Sequence, residues 1–209
     1  MKITVNIDDI QYLRLDWNEI ERMIDDLADK IRDEQIKPNV IAGVLRGGSI
    51  VASLLSDRLG IYRIWSIGAK TYERTGKRGN MVEIYQHLPT HALEKIDVLL
   101  IEDVIDTGTT ITTILNTEIY SKKSRRIYTA SLHIKPWTKY RPDMCMEETK
   151  CWIWYPWELY EVGRDIYTDL LKKHDSQRAK KILLEEFKID QKVLRKIVKS
   201  TQTNEKHFA

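Results

Sequence analysis

The sequence predicts an α/β fold, in which helices cover both faces of a mostly parallel sheet, followed by a small C-terminal helical unit. Short apolar runs, typical of buried strands, alternate with segments that carry apolar residues at helical spacing. The last quarter of the chain carries helical patterns alone. With 209 residues, of which 42% are hydrophobic and 31% charged, the chain has enough apolar material for a packed core.

The α/β body begins with a helix and continues through alternating elements. Asp16 and Glu19 read as a capping box, and apolar residues then recur every three or four positions as far as Ile36. Glycines and polar residues bound the apolar runs that follow, which is typical of buried strands and of a helix stopped by Gly60. The predicted elements are a strand at 40–45, a helix at 47–59, a strand at 62–69, a polar loop at 70–80, strands at 82–88 and 98–101, a helix after 108 and a strand at 126–134.

The C-terminal unit is predicted to contain three helices, at 158–174, 177–187 and 191–200. Aspartates stand where two of these helices begin, at Asp175 and Asp190, and a short polar side chain is a favourable N-cap. We therefore expect a domain at 1–157 and a helical unit at 158–209.

Charge and composition exclude several classes of protein. The 34 basic and 31 acidic residues leave a net charge of +3, which gives no general nucleic-acid signal. The two cysteines, Cys145 and Cys151, are too few for a disulfide framework or a zinc ligand set. No run of about 18 apolar residues predicts a membrane span, and acids precede any long apolar run, unlike in a secretory signal. We expect a cytoplasmic protein.

The strongest candidate site lies at residues 98–110. The run VLLIEDVIDTGTT starts as an apolar strand, continues with two adjacent acids and ends in hydroxyl residues where a helix opens. Strands of open α/β sheets deliver such side chains to a ligand crevice at their carboxyl ends. Residues 106–110 would present backbone N–H groups to a phosphate. Glu102 and Asp103 suit sugar hydroxyls or a metal ion beside the phosphate, so the run predicts a site for a sugar phosphate.

All thirteen positions of this run resemble the phosphoribosyl-diphosphate-binding signature of type I phosphoribosyltransferases. The resemblance implies the fold of that family and a transferase reaction on phosphoribosyl diphosphate with Mg²⁺. It makes Asp106 the residue that exchanges a proton with the imidazole half of a purine, and Asp103 a metal contact where the substrate itself holds most of the ion. The loop residues that the resemblance assigns to substrate binding are Thr107, Gly108, Thr109 and Thr110.

Two further segments resemble parts of the same family. Residues 45–48 stand between a predicted strand and a predicted helix, as does the family's diphosphate-binding loop, which often contains a non-proline cis peptide bond. The basic residues 69–81 resemble the flexible hood that closes over the active site, and closure would exclude water from a cationic sugar intermediate. Arg46 is implied to meet the diphosphate. The substrate contacts implied in these segments are Leu45, Arg46, Gly47, Lys70 and Tyr72.

Residues 135–157 are the predicted nucleobase segment. SLHIKP and CWIWYPWE resemble the short 6-oxopurine phosphoribosyltransferases of the xanthine-guanine type. By that resemblance Lys135 approaches the 6-substituent of the purine, Trp152 stacks on its face and the backbone of Ile153 meets its edge. Stacking a base on an aromatic side chain contributes about 1–3 kcal/mol and tolerates different bases.

The identity of the purine is predicted differently by different features. The Lys135 side chain carries only hydrogen-bond donors, which suits a 6-keto group, and Asp106 stands where the 6-oxopurine enzymes carry an aspartate. Trp154 departs from that pattern because those enzymes have an acid there, and the helical tail is foreign to them. The whole chain is similar to adenine phosphoribosyltransferases of Crenarchaeota. On that likeness we expect conversion of adenine to AMP, with a 6-oxopurine as the alternative.

A different class remains open from the sequence. A regulator that senses a purine or phosphoribosyl diphosphate could keep the same fold, with the basic residues 177–181 and 192–199 contacting DNA. The presence of Arg46, Asp106 and the hood favours an enzyme. Its expected partners are the two small-molecule substrates, and the family likeness implies a homodimer without nucleic acid or membrane.

Overall fold

The computed structural model describes residues 1–73, 80–89 and 93–205. The chain forms two compact units: Met1–Ile20 together with Cys151–Ala209, here the terminal unit, and Glu21–Lys150, here the central unit. Among the described residues, no helix is both long enough and apolar enough to cross a bilayer.

The described residues form strands and helices whose bounds are as follows. The strands are β1 Lys2–Ile7, β2 Ile10–Leu15, β3 Val40–Leu45, β4 Ile64–Glu73, β5 Asn80–Gln86, β6 Asp97–Ile105, β7 Arg126–Ile134, β8 Met144–Glu148 and β9 Trp152–Trp154. The α-helices are α1 Trp17–Asp33, α2 Gly47–Leu59, α3 Thr109–Ile114, α4 Glu161–Leu171, α5 Ser176–Glu185 and α6 Gln191–Glu205. A π-turn at Leu115–Ile119 and a 3₁₀ turn at Tyr120–Lys122 continue α3.

The central unit contains a six-stranded sheet in the order β5-β4-β3-β6-β7-β8. Every pairing in it is parallel except that of β4 with β5. Parallel strands buried on both faces need continuous apolar runs, and residues 40–44 and 97–101 are buried without interruption. The predicted fold class, a mostly parallel sheet flanked by helices, is confirmed.

Gly48 allows the first turn of α2 to lie against β6. A Cβ at this position would come 2.5 Å from the carbonyl oxygen of Ile101 and 3.0 Å from the Cα of Glu102. Real Cβ atoms do not approach backbone this closely, so a side chain at residue 48 would push α2 away from β6. Because Gly48 has no side chain, the segment after β3 can lie next to the acids of β6.

The terminal unit combines a three-stranded sheet with α4, α5 and α6. β1 and β2 form an antiparallel hairpin, and β2 pairs in parallel with β9. Trp154 and Phe187 are fully buried at the centre of its core, with ring centroids 5.1 Å apart. Gly163 of α4 faces Ile197 of α6, where a Cβ would lie 2.5 Å from the Ile197 Cδ1. The predicted helical unit is therefore present, and β1, β2 and β9 group with it.

The predicted helix caps are present. Asp16 accepts the N–H of Glu19 at 3.0 Å, and Asp175 accepts the N–H of Arg178 at 2.8 Å. Asp190 accepts the N–H of Lys192 at 2.6 Å. Each carboxylate satisfies an amide that the first turn of a helix leaves without an intrahelical partner.

The structure corrects the predicted loop at 70–80. β4 continues to Glu73 and β5 begins at Asn80, so both ends of that segment are paired strand, while residues 74–79 lie outside the described residues. An antiparallel pair at the edge of a sheet can expose its side chains to water, and its polar residues therefore carry no apolar signal.

β6 is also longer than predicted. It runs through Glu102 and Asp103 to Ile105, because its pairing with β7 continues past the acids as far as Ile134. Glu102 and Asp103 therefore belong to the last residues of a paired strand, and the pairing fixes their backbone more firmly than a loop would.

Candidate active site

Four neighbouring parallel strands end at one edge of the central sheet. These neighbours are β4, β3, β6 and β7. Residues predicted to bind substrate lie in the last part of β4 and at or just after the ends of the other three strands. Carboxyl ends of parallel strands meet at the same edge, and ligands of open α/β sheets bind there. The segments brought together in this way are 45–47, 70–72, 102–110 and 135–137.

A cavity of about 270 Å³ opens at this edge. It lies at the end of β6 and the start of α3, and Thr71 of β4 also lines it. The Thr71 and Thr110 hydroxyl oxygens are 3.3 Å apart, which ties the end of β4 to the first turn of α3. The lining residues are Thr71, Glu102, Val104, Ile105, Asp106, Thr107, Gly108 and Thr110.

The loop between β6 and α3 has the geometry of an anion cradle. Gly108 has a φ of 85°, a conformation that glycine adopts without strain, and a Cβ there would lie 2.7 Å from the Cβ of Tyr140. The Thr107 hydroxyl lies 2.9 Å from that of Thr109 and accepts the Thr109 N–H at 3.3 Å. No side chain caps the start of α3 at Gly108. Thr107, Gly108 and Thr110 of this loop line the cavity.

The Glu102 carboxyl of β6 has a raised pKa. Burial and the neighbouring Asp103 carboxylate raise the pKa of Glu102 to about 8, because both disfavour the charged form. At neutral pH the Glu102 carboxyl therefore keeps its proton in the free protein. The pair then carries less negative charge beside residues 106–110, the predicted phosphate-binding loop, here the phosphate loop. In addition, the protonated Glu102 can donate a hydrogen bond to a sugar hydroxyl as well as accept one from it.

Replacement of Glu102 by glutamine is expected to stabilise the free protein in alkali. The folded-state pKa lies above the ordinary carboxyl value, so the native state binds the proton more tightly, and stability is lost as the pH rises from about 4.5 towards 8. Glu102→Gln removes that loss, and we expect it to be more stable than wild type at pH 9 by about 2–4 kcal/mol. Urea unfolding at pH 5, 7 and 9 measures this. The exposed Glu94→Gln is the control, and parallel curves for wild type and Glu102→Gln would contradict the assignment.

The donors at this edge fit a magnesium ion held jointly with a substrate. Carboxylate and hydroxyl oxygens are the ligands that Mg²⁺ prefers, and the ion binds proteins through one or two carboxylates plus phosphate oxygens. In the part of the chain that the structure describes, no group of three or more His, Cys, Asp or Glu residues is arranged to hold a metal alone. The carboxyl chemistry of Asp103 therefore fits the metal role that the resemblance implied for this residue.

The segment after β3 has the backbone that the resemblance implied. The peptide bond between Leu45 and Arg46 is cis. Gly47 is buried and begins α2, whereas the Arg46 side chain is exposed at the carboxyl end of β3. Arg46 thus stands at the sheet edge that carries the phosphate loop.

Lys70 and Tyr72 lie on β4 rather than in a loop. Lys70 is paired with Glu83 of β5, and its side chain is exposed. Tyr72 is paired with Met81 through the backbone, and its side chain lies outside what the structure describes. The closing movement of the hood at 69–81 stays a prediction.

Asp106 has a partner that sequence reasoning missed. The indole Nε1 of Trp137 donates to the Asp106 Oδ1 at 2.6 Å. The ammonium of Lys135 lies over the ring of the same tryptophan, 5.8 Å from its centroid. The proton-exchanging residue and the base-recognising lysine of the sequence analysis are therefore linked through one side chain in the central unit. No periodicity or motif in the sequence pointed to Trp137.

The aromatic residues at the end of the nucleobase segment, from Trp152 to Trp157, belong to the terminal unit. Trp152 is 60% exposed and Ile153 is buried, so the indole face of Trp152 is accessible for stacking. Trp154 is fully buried in the core of that unit, which accounts for an aromatic residue where other enzymes carry an acid. Trp157 stacks on Tyr155 at a centroid distance of 4.5 Å.

Known proteins resemble this chain in both sequence and fold. A purine phosphoribosyltransferase from Pyrococcus horikoshii is 35% identical, with 70% of this chain and 93% of that chain covered and a TM-score of 0.64. A xanthine-guanine phosphoribosyltransferase from Desulfotalea psychrophila is 26% identical over 71% of this chain and 89% of its own length. One from Chromohalobacter salexigens is 22% identical over 79% of this chain and 96% of its own length.

These relatives overturn the expectation of adenine as the base. Both of these bacterial relatives are named for xanthine and guanine. Those names agree with the 6-oxopurine that Lys135 and Asp106 predicted, and they disagree with the adenine that the helical tail predicted. The adenine prediction depended on the likeness of the C-terminal helices to those of the crenarchaeal enzymes. Residues 158–209, however, contain none of the residues predicted to recognise the base. The expectation of AMP as the product is wrong.

The match to a family model covers most of the chain. Residues 15–162 match the phosphoribosyl transferase domain, a range that includes the phosphate loop, the residues after β3 and the Lys135 segment. The enzyme reading is thus confirmed over a purely sensory regulator. The chain belongs to the phosphoribosyl transferase domain family and is a type I purine phosphoribosyltransferase, a pentosyltransferase.

Proposed function

We propose that the protein transfers the 5-phosphoribosyl group of phosphoribosyl diphosphate to a 6-oxopurine, namely hypoxanthine, guanine or xanthine. The observation that carries the proposal is the meeting of Lys135 and Asp106 around Trp137, beside the phosphate loop. The names of the xanthine-guanine relatives support the same base class.

The chemistry of Lys135 favours a keto group over an amino group. An ammonium has three donors and no acceptor, so it satisfies the lone pairs of a 6-keto oxygen. Facing the 6-amino group of adenine, the ammonium would bring donors against donors, and no hydrogen bond from Lys135 to that amino group would form. A site built to hydrogen-bond one substrate rejects an analogue that leaves its polar groups unpaired. The side chain of Lys135 is only 8% exposed, so water cannot easily compensate.

In the proposed reaction the phosphoribosyl group is held at two places. The loop from Asp106 to Thr110 binds the 5-phosphate through backbone N–H groups and threonine hydroxyls. Glu102 and Asp103 bind the ribose hydroxyls. The Arg46 guanidinium meets the diphosphate at the other end of the substrate, and its fixed charge favours departure of that group.

The bond changes centre on the anomeric carbon. The C1–oxygen bond to diphosphate breaks with its electron pair going to diphosphate, and a purine ring nitrogen forms the new bond to C1. Positive charge develops on the ribose, and nearby carboxylates stabilise it electrostatically. The Asp106 carboxylate takes the proton that the imidazole half of the purine loses. When bound, Mg²⁺ supplies charge neutralisation for the diphosphate.

A panel of bases tests the proposal. Guanine, xanthine, hypoxanthine and adenine are each incubated with phosphoribosyl diphosphate and Mg²⁺, and nucleotide formation is followed. We expect at least one 6-oxopurine to exceed adenine in kcat/KM by about 100-fold or more. Lys135→Gln is the matched variant, because an amide both donates and accepts hydrogen bonds. In this variant the ratio of kcat/KM for the 6-oxopurine to kcat/KM for adenine should be smaller than in the wild-type protein. Equal use of adenine by the wild-type protein would refute the base assignment.

Three further properties remain predictions. The family resemblance predicts a homodimer, the sequence analysis predicts a cytoplasmic location, and the family resemblance also predicts closure of the hood over bound substrate. Light scattering coupled to size-exclusion chromatography tests the first of these, with a mass of twice the monomer as the expected result. Restriction of proteolysis within 69–81 by bound phosphoribosyl diphosphate tests the third.

A further inference from the structure

Trp137 has no role in the predicted chemistry, yet it contacts both groups that face the base. Its indole N–H donates to Asp106, and its ring lies under the Lys135 ammonium. The residue is 52% exposed, so burial in a core does not explain its position. A large aromatic side chain held at a sheet edge by polar contacts on two sides needs a different explanation.

Backbone hydrogen bonds fix the segment of Trp137 to the loop of Asp106. The Lys135 N–H donates to the carbonyl of Ile105 at 3.0 Å, and the Lys139 N–H donates to the carbonyl of Thr107 at 3.1 Å. The indole bond to Asp106 lies between these two in both segments. Three successive cross-links thus join 135–139 to 105–107. The donor Trp137 and the acceptor Asp106 are thus held by the same backbone hydrogen bonds, which favours a fixed pair over an indole side chain that changes rotamer.

The hydrogen bond leaves the carboxylate able to act. One N–H occupies one lone pair of Oδ1, and an ionised carboxylate retains acceptor capacity on both oxygens. Because a bond to a charged acceptor is stronger than a neutral one, it also restricts rotation of the Asp106 side chain. The cation–π contact acts on the other group, since an ammonium over an indole face is attracted to the ring. The ring therefore sets where the Lys135 charge lies relative to the carboxylate.

We propose that Trp137 is a positioning residue that holds Asp106 and Lys135 as one template for a 6-oxopurine. The inference rests on the proposed function and deepens it. The carboxylate faces the imidazole half of the base and the ammonium faces its 6-keto oxygen, so their separation must match the purine. Misplacement of such groups by about 1 Å can cost roughly 100-fold in rate.

Three substitutions separate the two contacts. Trp137→Phe keeps an aromatic face for Lys135 and removes the N–H, so we expect kcat to fall about 10-fold or more while the KM for phosphoribosyl diphosphate stays within about 2-fold. Trp137→His restores a ring N–H and should recover part of the lost kcat. Trp137→Leu removes both contacts and should in addition narrow the preference for a 6-oxopurine over adenine.

Controls distinguish this role from a structural one. Trp17→Phe alters a tryptophan of the same 52% exposure in the terminal unit and should leave kcat unchanged. Wild-type kcat in Trp137→Phe would overturn the proposal. A lower KM for the purine in that variant would also overturn it, because Trp137 would then be a plug that substrate displaces.

A measurement without substrate keeps the inference separate from the proposed function. In a ¹⁵N-labelled protein the Trp137 indole N–H resonance, assigned by its loss in Trp137→Phe, should move upfield in Asp106→Ala as the bond is lost. If no purine is converted by the wild-type protein, the proposed function fails while this shift still reports the bond. An unmoved resonance would show that the indole does not donate to Asp106 and would end the positioning argument.

Discussion

Asp106→Asn is expected to lower kcat by about 10²–10⁴-fold, the usual contribution of a positioned acid or base. An amide accepts a hydrogen bond through its oxygen, so the contact from the Trp137 indole can be kept. It cannot take the purine proton, however, and the chemical step loses its base. The side chain of Asp106 is not needed for backbone N–H groups to bind the 5-phosphate. We therefore expect the KM for phosphoribosyl diphosphate to change by less than about 3-fold.

Initial rates at saturating base, with phosphoribosyl diphosphate varied, separate these two effects. The control is Asp57→Asn, because Asp57 is a carboxylate with an 83% exposed side chain on α2. That variant should behave as wild type in both constants. Unchanged kcat in Asp106→Asn would remove Asp106 from proton transfer, and a large rise in the KM for phosphoribosyl diphosphate alone would reassign it to substrate binding.

The strand, loop and helix start at residues 97–114 were predictable because their signal is local. An apolar run buried on both faces, adjacent acids and a glycine followed by threonines are consecutive in the chain. The position of β6, of the crevice at its carboxyl end and of the start of α3 could therefore be predicted from the order of the residues alone. The structure adds only that Glu102 and Asp103 lie within β6 rather than after it.

The Trp137 contact was not predictable because it depends on a neighbour in space. Asp106 follows β6 and Trp137 follows β7, and the two meet since these strands pair in parallel, with Ile105 opposite Ile134. Which strands lie side by side is decided by the whole sheet. A search limited to known motifs finds Lys135 and passes over the tryptophan two residues later.

The N-terminal hairpin also has a local signal in the sequence. Ile3, Val5 and Ile7 alternate with polar residues before Asp8 and Asp9, a pattern typical of a strand that ends in a turn. Its pairing with β9 had no such signal, because the partners are about 140 positions apart, as Leu13 and Ile153 show. The division at 157 followed the change to helical patterns and could not include that pairing.

Glu118→Gln is expected to lower the free energy of unfolding by about 3 kcal/mol or more, because it removes one partner of a buried ion pair. Glu118 is 3% exposed on the π-turn after α3. Its carboxylate lies 2.9 Å from the Lys122 ammonium, accepts the Leu88 N–H at 2.9 Å and lies 2.6 Å from the His87 Nδ1. Lys122 in turn donates to the Leu88 carbonyl at 2.8 Å. The cluster fastens the chain after β5 to the helical segment that begins at the phosphate loop.

Urea unfolding with an unchanged m-value measures the loss. Glu185→Gln is the matched control, since Glu185 also pairs with a lysine four residues away but both side chains are more than half exposed. That variant should change the free energy of unfolding by less than about 1 kcal/mol. A loss of similar size in both variants would show that burial of Glu118 adds nothing to its ion pair.

The pH dependence of the Glu118 loss gives an independent check. Burial alone would raise the pKa of Glu118, but hydrogen bonds from His87, Lys122 and the Leu88 amide outweigh it and hold the pKa below its ordinary value. The contribution to stability is therefore complete above the unfolded carboxyl pKa of about 4.3 and is lost as the pH falls through the lower folded value. Wild type and Glu118→Gln should differ fully at pH 7 and progressively less below about pH 4. A difference that stays constant down to pH 3 would mean that the charge on Glu118 does not carry the stabilisation.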